Sequence, residues 1–181
     1  ASTDHGRSWG LAVPRIPFEQ LPEHGRLWVF PLSRNLSDDE RTTVLGEVDA
    51  FLAQWAAHGA PLRSGRELRE DRFLLVGVDE DAEAPSGCSI DALVNRLRVI
   101  GRELDVSFID HAPVWFRGKG GVRTVSRPGF KKLAADGTVS RETHVFDTSL
   151  TRLSDLRAGV FERPASETWH GRTFFRERAS T

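Results

Sequence analysis

The chain has one cysteine, no methionine, no tyrosine and only three lysines. The lone thiol, Cys88, excludes any disulfide within the chain and makes a reducing, cytoplasmic compartment the expected setting. No apolar run approaches the roughly 20 residues needed to cross a bilayer. The opening ASTDHGRSWG lacks the charged-then-apolar pattern of a signal peptide. No membrane partner is expected. An excess of either charge is also missing: 25 basic residues stand against 26 acidic ones, for a net charge of −1. A dedicated nucleic-acid binder leans on a basic face, so nucleic acid is not the expected partner either. Lys119, Lys131 and Lys132 stand against 22 arginines, which, with the absent tyrosine and methionine, reads as the codon bias of a GC-rich genome. Ala1 is small enough to follow a removed initiator methionine, and a processed start fits equally well.

Metal-binding spacing is absent too. The six histidines form no HxH, HExxH or zinc-type pairing with cysteine. The acidic run DEDAE, Asp79 to Glu83, does not match a calcium loop and reads as a solvated loop. No metal and no cofactor are expected.

What remains is an ordinary balance for one folded domain: 181 residues, 39% hydrophobic and 28% charged. Residues 1–16 carry Gly, Pro and Ser without periodicity and read as a leader, tethered by Trp9 or Ile16. RLWVFPL, Arg26 to Leu32, reads as a strand buried on both faces, with Pro31 at its end. Ser37 and Glu40 make a capping box ahead of Val44, Val48, Phe51, Leu52 and Trp55, one face of a helix. His58-Gly59 reads as the stop of that helix, with Gly59 as its left-handed cap. A charged edge strand is expected over residues 62–70, and Phe73 to Val78 is the clearest buried strand. A second helix is expected from Ser89 to Asp105, with Ile90, Leu93, Val94, Leu97, Ile100 and Leu104 on one face, and a further strand at Val114 to Phe116.

The order β-α-β-β-α-β over residues 26–117 is that of the ferredoxin-like, split βαβ arrangement. The expected class is therefore α+β: an antiparallel sheet with two helices on one face, spanning residues 17–125. A glycine turn at Arg117 to Val125 reads as a hairpin. Residues 126–181 read as a wrap with a short helix at Ser126 to Ala135, a strand at Thr143 to Phe146, and helical pieces at Leu150 to Leu156 and Ala165 to Phe175. Of the five tryptophans, Trp28, Trp55 and Trp115 fall on expected core elements, and Trp9 and Trp169 on the terminal segments.

WAAHGAPL (Trp55 to Leu62), VGVDE (Val76 to Glu80) and SGCSID (Ser86 to Asp91) resemble a small family of bacterial proteins of uncharacterised activity, often given the name "ABC transporter ATPase" by automated naming. The resemblance runs roughly over residues 17–175 and brings no established activity with it. A phosphate-cradling P-loop needs G-x-x-x-x-G-K-[ST]. The nearest approach is GKGG, Gly118 to Gly121, where the lysine follows the wrong glycine and no hydroxyl follows it. The residues do not support ATPase activity.

Three candidate sites follow. Cys88 stands at a helix start, where the helix dipole favours thiolate, and a thiol enzyme would pair it with His58 or Asp91. Its bland alternative is a small buried side chain. Ser86, Gly87 and Ser89 offer helix-start amides to an anion, or else simply cap the helix. Arg117, Lys119, Arg123, Lys131 and Lys132, interleaved with Trp115, Phe116 and Phe130, are the best case for a polyanion or RNA surface. The bland alternative there is a core strand with arginines on its outer side. The expected function is a binding or assembly module without chemistry of its own, with another protein or a second copy of the chain as partner.

Overall fold

The computed structural model describes residues 15–175; Trp9 lies outside them. The fold is mixed α+β, with antiparallel sheets and, among the described residues, five α-helices.

The first sheet has the order β1-β5-β4, where β1 is Arg26–Pro31, β4 is Arg63–Arg69 and β5 is Phe73–Asp79. The two most apolar segments of the chain are hydrogen-bonded neighbours, with Leu27 opposite Gly77 and Phe30 opposite Leu74. Alternation then divides their side chains. Phe30, Leu74, Val76 and Val78 face one side, under helices α1 (Asp38–Gln54) and α2 (Gly87–Leu104). Leu27, Val29, Phe73 and Leu75 face the other, under Leu153, Leu156, Phe146 and Phe161 from the C-terminal part of the chain. Burial on both faces is why FLLVGV is apolar without a break. Gly77 is needed in that run because a Cβ there would lie 2.7 Å from Leu21 Cδ1.

The expected capping box forms at the start of α1, with Glu40 N donating to Ser37 Oγ and Ser37 N to Glu40 Oε1. Arg34 grips Glu40 through two hydrogen bonds, and this pairing holds the Glu40 carboxyl down at about 2. The expected helix stop at His58-Gly59 is corrected. The helix ends at Gln54, and His58 (φ 51°) and Gly59 (φ 77°) form the tight turn between β2 (Ala56–Ala57) and β3 (Ala60–Pro61). Two positive φ values in a two-residue loop are the signature of a hairpin turn, a role open to His-Gly as much as capping is. Ile16 N donates to Ser64 O, which ties the start of the described chain to the β4 edge at one of the two residues expected to tether it.

The fourth strand of the expected ferredoxin-like sheet goes elsewhere. β6 (Val114–Gly118) pairs with β7 (Gly121–Val125) and with β8 (His144–Phe146), which pairs in turn with β9 (Glu162–Pro164). This second sheet spans both sides of residue 125. β6 gives one edge to its hairpin partner β7 and the other to β8, and the outer edge of β1 is instead met by the chain at Thr151, whose carbonyl accepts from Leu27 N. Pro31 is tolerated because its missing N–H would point to that outer edge and not toward β5.

Arg72, buried at the turn after β4, joins the sheets. It donates to Val122 O, Leu32 O and Thr124 Oγ1, with no carboxylate in contact among the described residues, and burial lowers its pKa. The remaining helices are α3 (Arg127–Ala135), α4 (Leu153–Arg157) and α5 (Trp169–Phe174). Among the described residues no helix is long and apolar enough to cross a membrane.

Candidate ligand-binding cleft

The sequence-predicted residues fall into three places. Cys88 is exposed on the first turn of α2 and has no side-chain partner among the described residues. His58 is exposed in the β2–β3 turn and Asp91 is exposed on α2; no hydrogen bond or ion pair joins either to Cys88. Two of the three stretches that carry the family resemblance do meet, but through different atoms: the buried Trp55 Nε1 donates to Ser89 O at 2.7 Å. A nucleophile-base pair is thus not assembled, and nothing at Cys88 activates the thiol beyond the helix start itself.

The candidate anion site satisfies itself. Ser86 Oγ accepts from Ser89 N, Ser89 Oγ accepts from Ser86 N, and Ser89 Oγ donates to Ser86 O. The box uses the donors an anion would need at Ser86 and Ser89, and leaves Gly87 as an exposed first-turn residue.

The polyanion residues are dispersed. Arg117 is clamped by both oxygens of Glu162, at 2.7 and 2.9 Å, and by Glu70 at 2.6 Å, which raises its pKa and lowers that of Glu162. Arg123 folds back on its own hairpin, donating to Lys119 O. Lys119 lies at that hairpin tip, while Lys131 and Lys132 are exposed on α3.

The convergent polar groups lie elsewhere, in a cleft of about 270 Å³ where β6, β8 and α5 come together. Trp115, Phe146 and Trp169 give it aromatic walls; His111, Arg127, Asp147, Ser149 and His170 give it polar ones. His111, Thr148 and Ser149 also line a second lobe of about 390 Å³ along the outer edge of β1, so the two lobes form one cleft. A larger groove of about 770 Å³ lies on the other side of Arg127, between α3 and Phe175. Its ionisable lining is Arg127, Lys131 and Arg141 only, so it offers no acid–base pair.

Each polar group is set by local structure. Thr168 caps α5 and its hydroxyl donates to Ala165 O. The same hydroxyl lies 2.9 Å from His170 Nδ1. His170 Nε2 has no partner among the described residues. The ring is 2% exposed and stacks on Trp169 at 3.8 Å. Burial pushes its pKa down to about 4, with Asp147 opposing the shift and Arg127 adding to it. His111 Nδ1 lies 3.1 Å from Thr148 Oγ1, and burial lowers its pKa as well.

Asp147 Oδ1 accepts from Ser149 N at 2.9 Å and from Ser149 Oγ, an Asx turn that fixes the carboxylate and leaves Oδ2 unpartnered among the described residues. Arg127 donates Nε to Ala112 O and lies 5.0 Å over the Trp169 ring, with both terminal nitrogens unpartnered among the described residues. The cleft thus offers one neutral imidazole, one carboxylate, one guanidinium and a second imidazole. Among the described residues the one metal-like cluster is His24, Asp79 and Asp81 at the surface, near the β5 end.

None of the cleft residues is marked by a sequence motif. The one legible hint is D-T-S at Asp147 to Ser149, an Asx-turn pattern, beside Trp169-His170 in the terminal piece. The chain matches no family model, no curated protein and no solved structure.

Proposed function

We propose that this protein is a ligand-binding module whose ligand enters the two-lobed cleft, and that it works without covalent chemistry of its own. One observation carries the reading: a buried neutral His170 holds an unpartnered Nε2 in the same cleft as an unpartnered Asp147 oxygen. Buried polar groups are normally paired within the protein, and groups left open in a concave, aromatic-lined site are available to a ligand. The reading is further supported by the isolation of Cys88, which lines neither lobe. Residues 26–104 read as a ferredoxin-like sheet whose fourth place is open, and the second lobe runs along that open edge. A cytoplasmic setting fits the single free thiol.

Benzamidine, benzamide and benzoate test the reading in the full chain, observed through the ring resonances of His170 and His111. Benzamidine offers N–H donors and a charge to Asp147, so it is expected to shift the His170 ring most. The shift should vanish in Asp147→Asn. If none of the three probes moves either ring at millimolar concentration, the reading fails.

A further inference from the structure

We propose that the lobe beside β1 is a strand-addition site, which takes an extended segment of a partner protein carrying an apolar residue and an acidic residue. This rests on the cleft being the binding surface and names the occupant of its second lobe.

The argument starts from hydrogen-bond parity. In an antiparallel pair the N–H and C=O of one residue point to the same side, and successive residues alternate. Leu32 N donates to Arg72 O, toward the β5 side, and Leu27 N donates outward to Thr151 O at 2.9 Å. Odd-numbered residues of β1 therefore face outward. Leu27 is paired there, Pro31 has no N–H, and Val29 is left between them. No described residue accepts from Val29 N or donates to Val29 O, although Val29 is only 4% exposed and lines the lobe. A backbone amide and carbonyl so placed call for a partner of the same kind, which is another strand.

The walls define the side chains of that strand. Trp28, Val94 and Ile109 make an apolar strip between β1 and α2. Arg26 and Arg98 line the same lobe, and no lining residue is acidic. Arg26 is already engaged, 4.7 Å over the Trp28 ring and 3.9 Å from Glu80. Among the described residues Arg98 is tied to Asn95 Oδ1 alone, one turn back on α2. An apolar residue against Trp28, Val94 and Ile109, with a carboxylate reaching Arg98, satisfies both walls. The start of such a ladder already exists, since Arg152 bridges Arg26 in antiparallel sense before the chain turns away. An incoming strand continues the edge where Thr151 leaves it.

The test uses the full chain and a capped five-residue peptide, threonine–valine–threonine–glutamate–threonine, whose valine and glutamate stand two residues apart and so share one face of the strand. Two N-methylated versions each block one edge of the peptide backbone. Binding is expected to slow hydrogen exchange at the Val29 amide and to shift its resonance. One N-methylated peptide should bind about tenfold more weakly, the cost of a lost hydrogen bond, while the other binds as the parent does. Arg98→Glu should reverse the preference toward a valine–lysine peptide without changing the fold. Three results overturn the proposal: an undisturbed Val29 amide at saturation, equal binding of all three peptides, or a Val29 amide already protected in the free chain, which would mean that this chain covers its own edge. If benzamidine still moves the His170 ring while the peptide leaves Val29 silent, strand addition fails alone. If both are silent, the cleft reading falls with it.

Discussion

The start of α2 and the cleft around His170 treat their polar groups in opposite ways. At Ser86–Ser89 every bond of the capping box closes within three residues. In the cleft, His170 and Asp147 are also held by near neighbours, Thr168 and Ser149, but each keeps one polar atom without a partner among the described residues. Contacts between distant segments then gather the groups: His111 reaches Thr148, and Arg127 reaches Ala112 and Trp169. The capping box is reciprocal and closes on itself, whereas the cleft groups are tethered through one atom and leave the other open. A conspicuous motif can therefore be inert while inconspicuous residues form the site.

Breaking the platform beneath the cleft should have the largest effect. Phe73 is fully buried and packs on Trp115, Phe146 and Phe161, two of which wall the cleft. Phe73→Ala should cost about 3–5 kcal/mol by denaturant unfolding, and should also abolish any probe-induced shift of His170.

Acid comes next. An unfolded histidine takes a proton near pH 6.5, whereas native His170 does so near 4. Between those values the unfolded state holds more protons, so stability is fully present above pH 6.5 and falls as pH drops toward 4. The loss from this one group is on the order of 3 kcal/mol, and His170→Phe should flatten that part of the stability–pH curve. A curve equally steep in the variant would place the titration elsewhere.

The helix start should respond less. Ser86→Ala removes the cap on Ser89 N and should cost about 1 kcal/mol, with no change in the response to benzamidine. Smallest of all is Cys88. Cys88→Ala should stay within about 0.5 kcal/mol of the parent, and iodoacetamide should label the parent at the rate of an unactivated thiol without affecting ligand binding. Fast labelling with loss of binding would restore the thiol to the site and reverse the comparison.

Legibility followed the same line. The strands Arg26–Pro31 and Phe73–Asp79, both long helices and the Ser37 capping box follow from hydrophobic period and cap chemistry, which act within a few residues; the start of α2 lies at Gly87, two residues before the expected Ser89, because Ser86 and Ser89 cap each other. The break between α1 and the His58 turn was harder to read, because His-Gly after a helix suits a cap and a hairpin turn equally; only the pairing of Ala57 with Ala60 distinguishes them. β9, three residues containing an arginine and a proline, carries no period at all and exists because β8 offers it an edge. Arg117 illustrates the limit for function. Its place in a basic segment suggested a free charge, but Glu162 and Glu70 come from 45 and 47 residues away to neutralise it.

By itself the sequence determined the α+β class, the two helices on one face of a central apolar strand and the capping box at Ser37. Each of these depends on interactions between residues close in the chain or on burial patterns repeated along one element. Tertiary structure alone decided that β6 joins a second sheet, that the outer edge of β1 keeps an unpaired Val29, and that His170 loses its ordinary basicity beside Asp147 and Arg127. Those outcomes depend on which distant segments compete for the same edge and on how completely water is excluded, and neither quantity is written in any local stretch of residues.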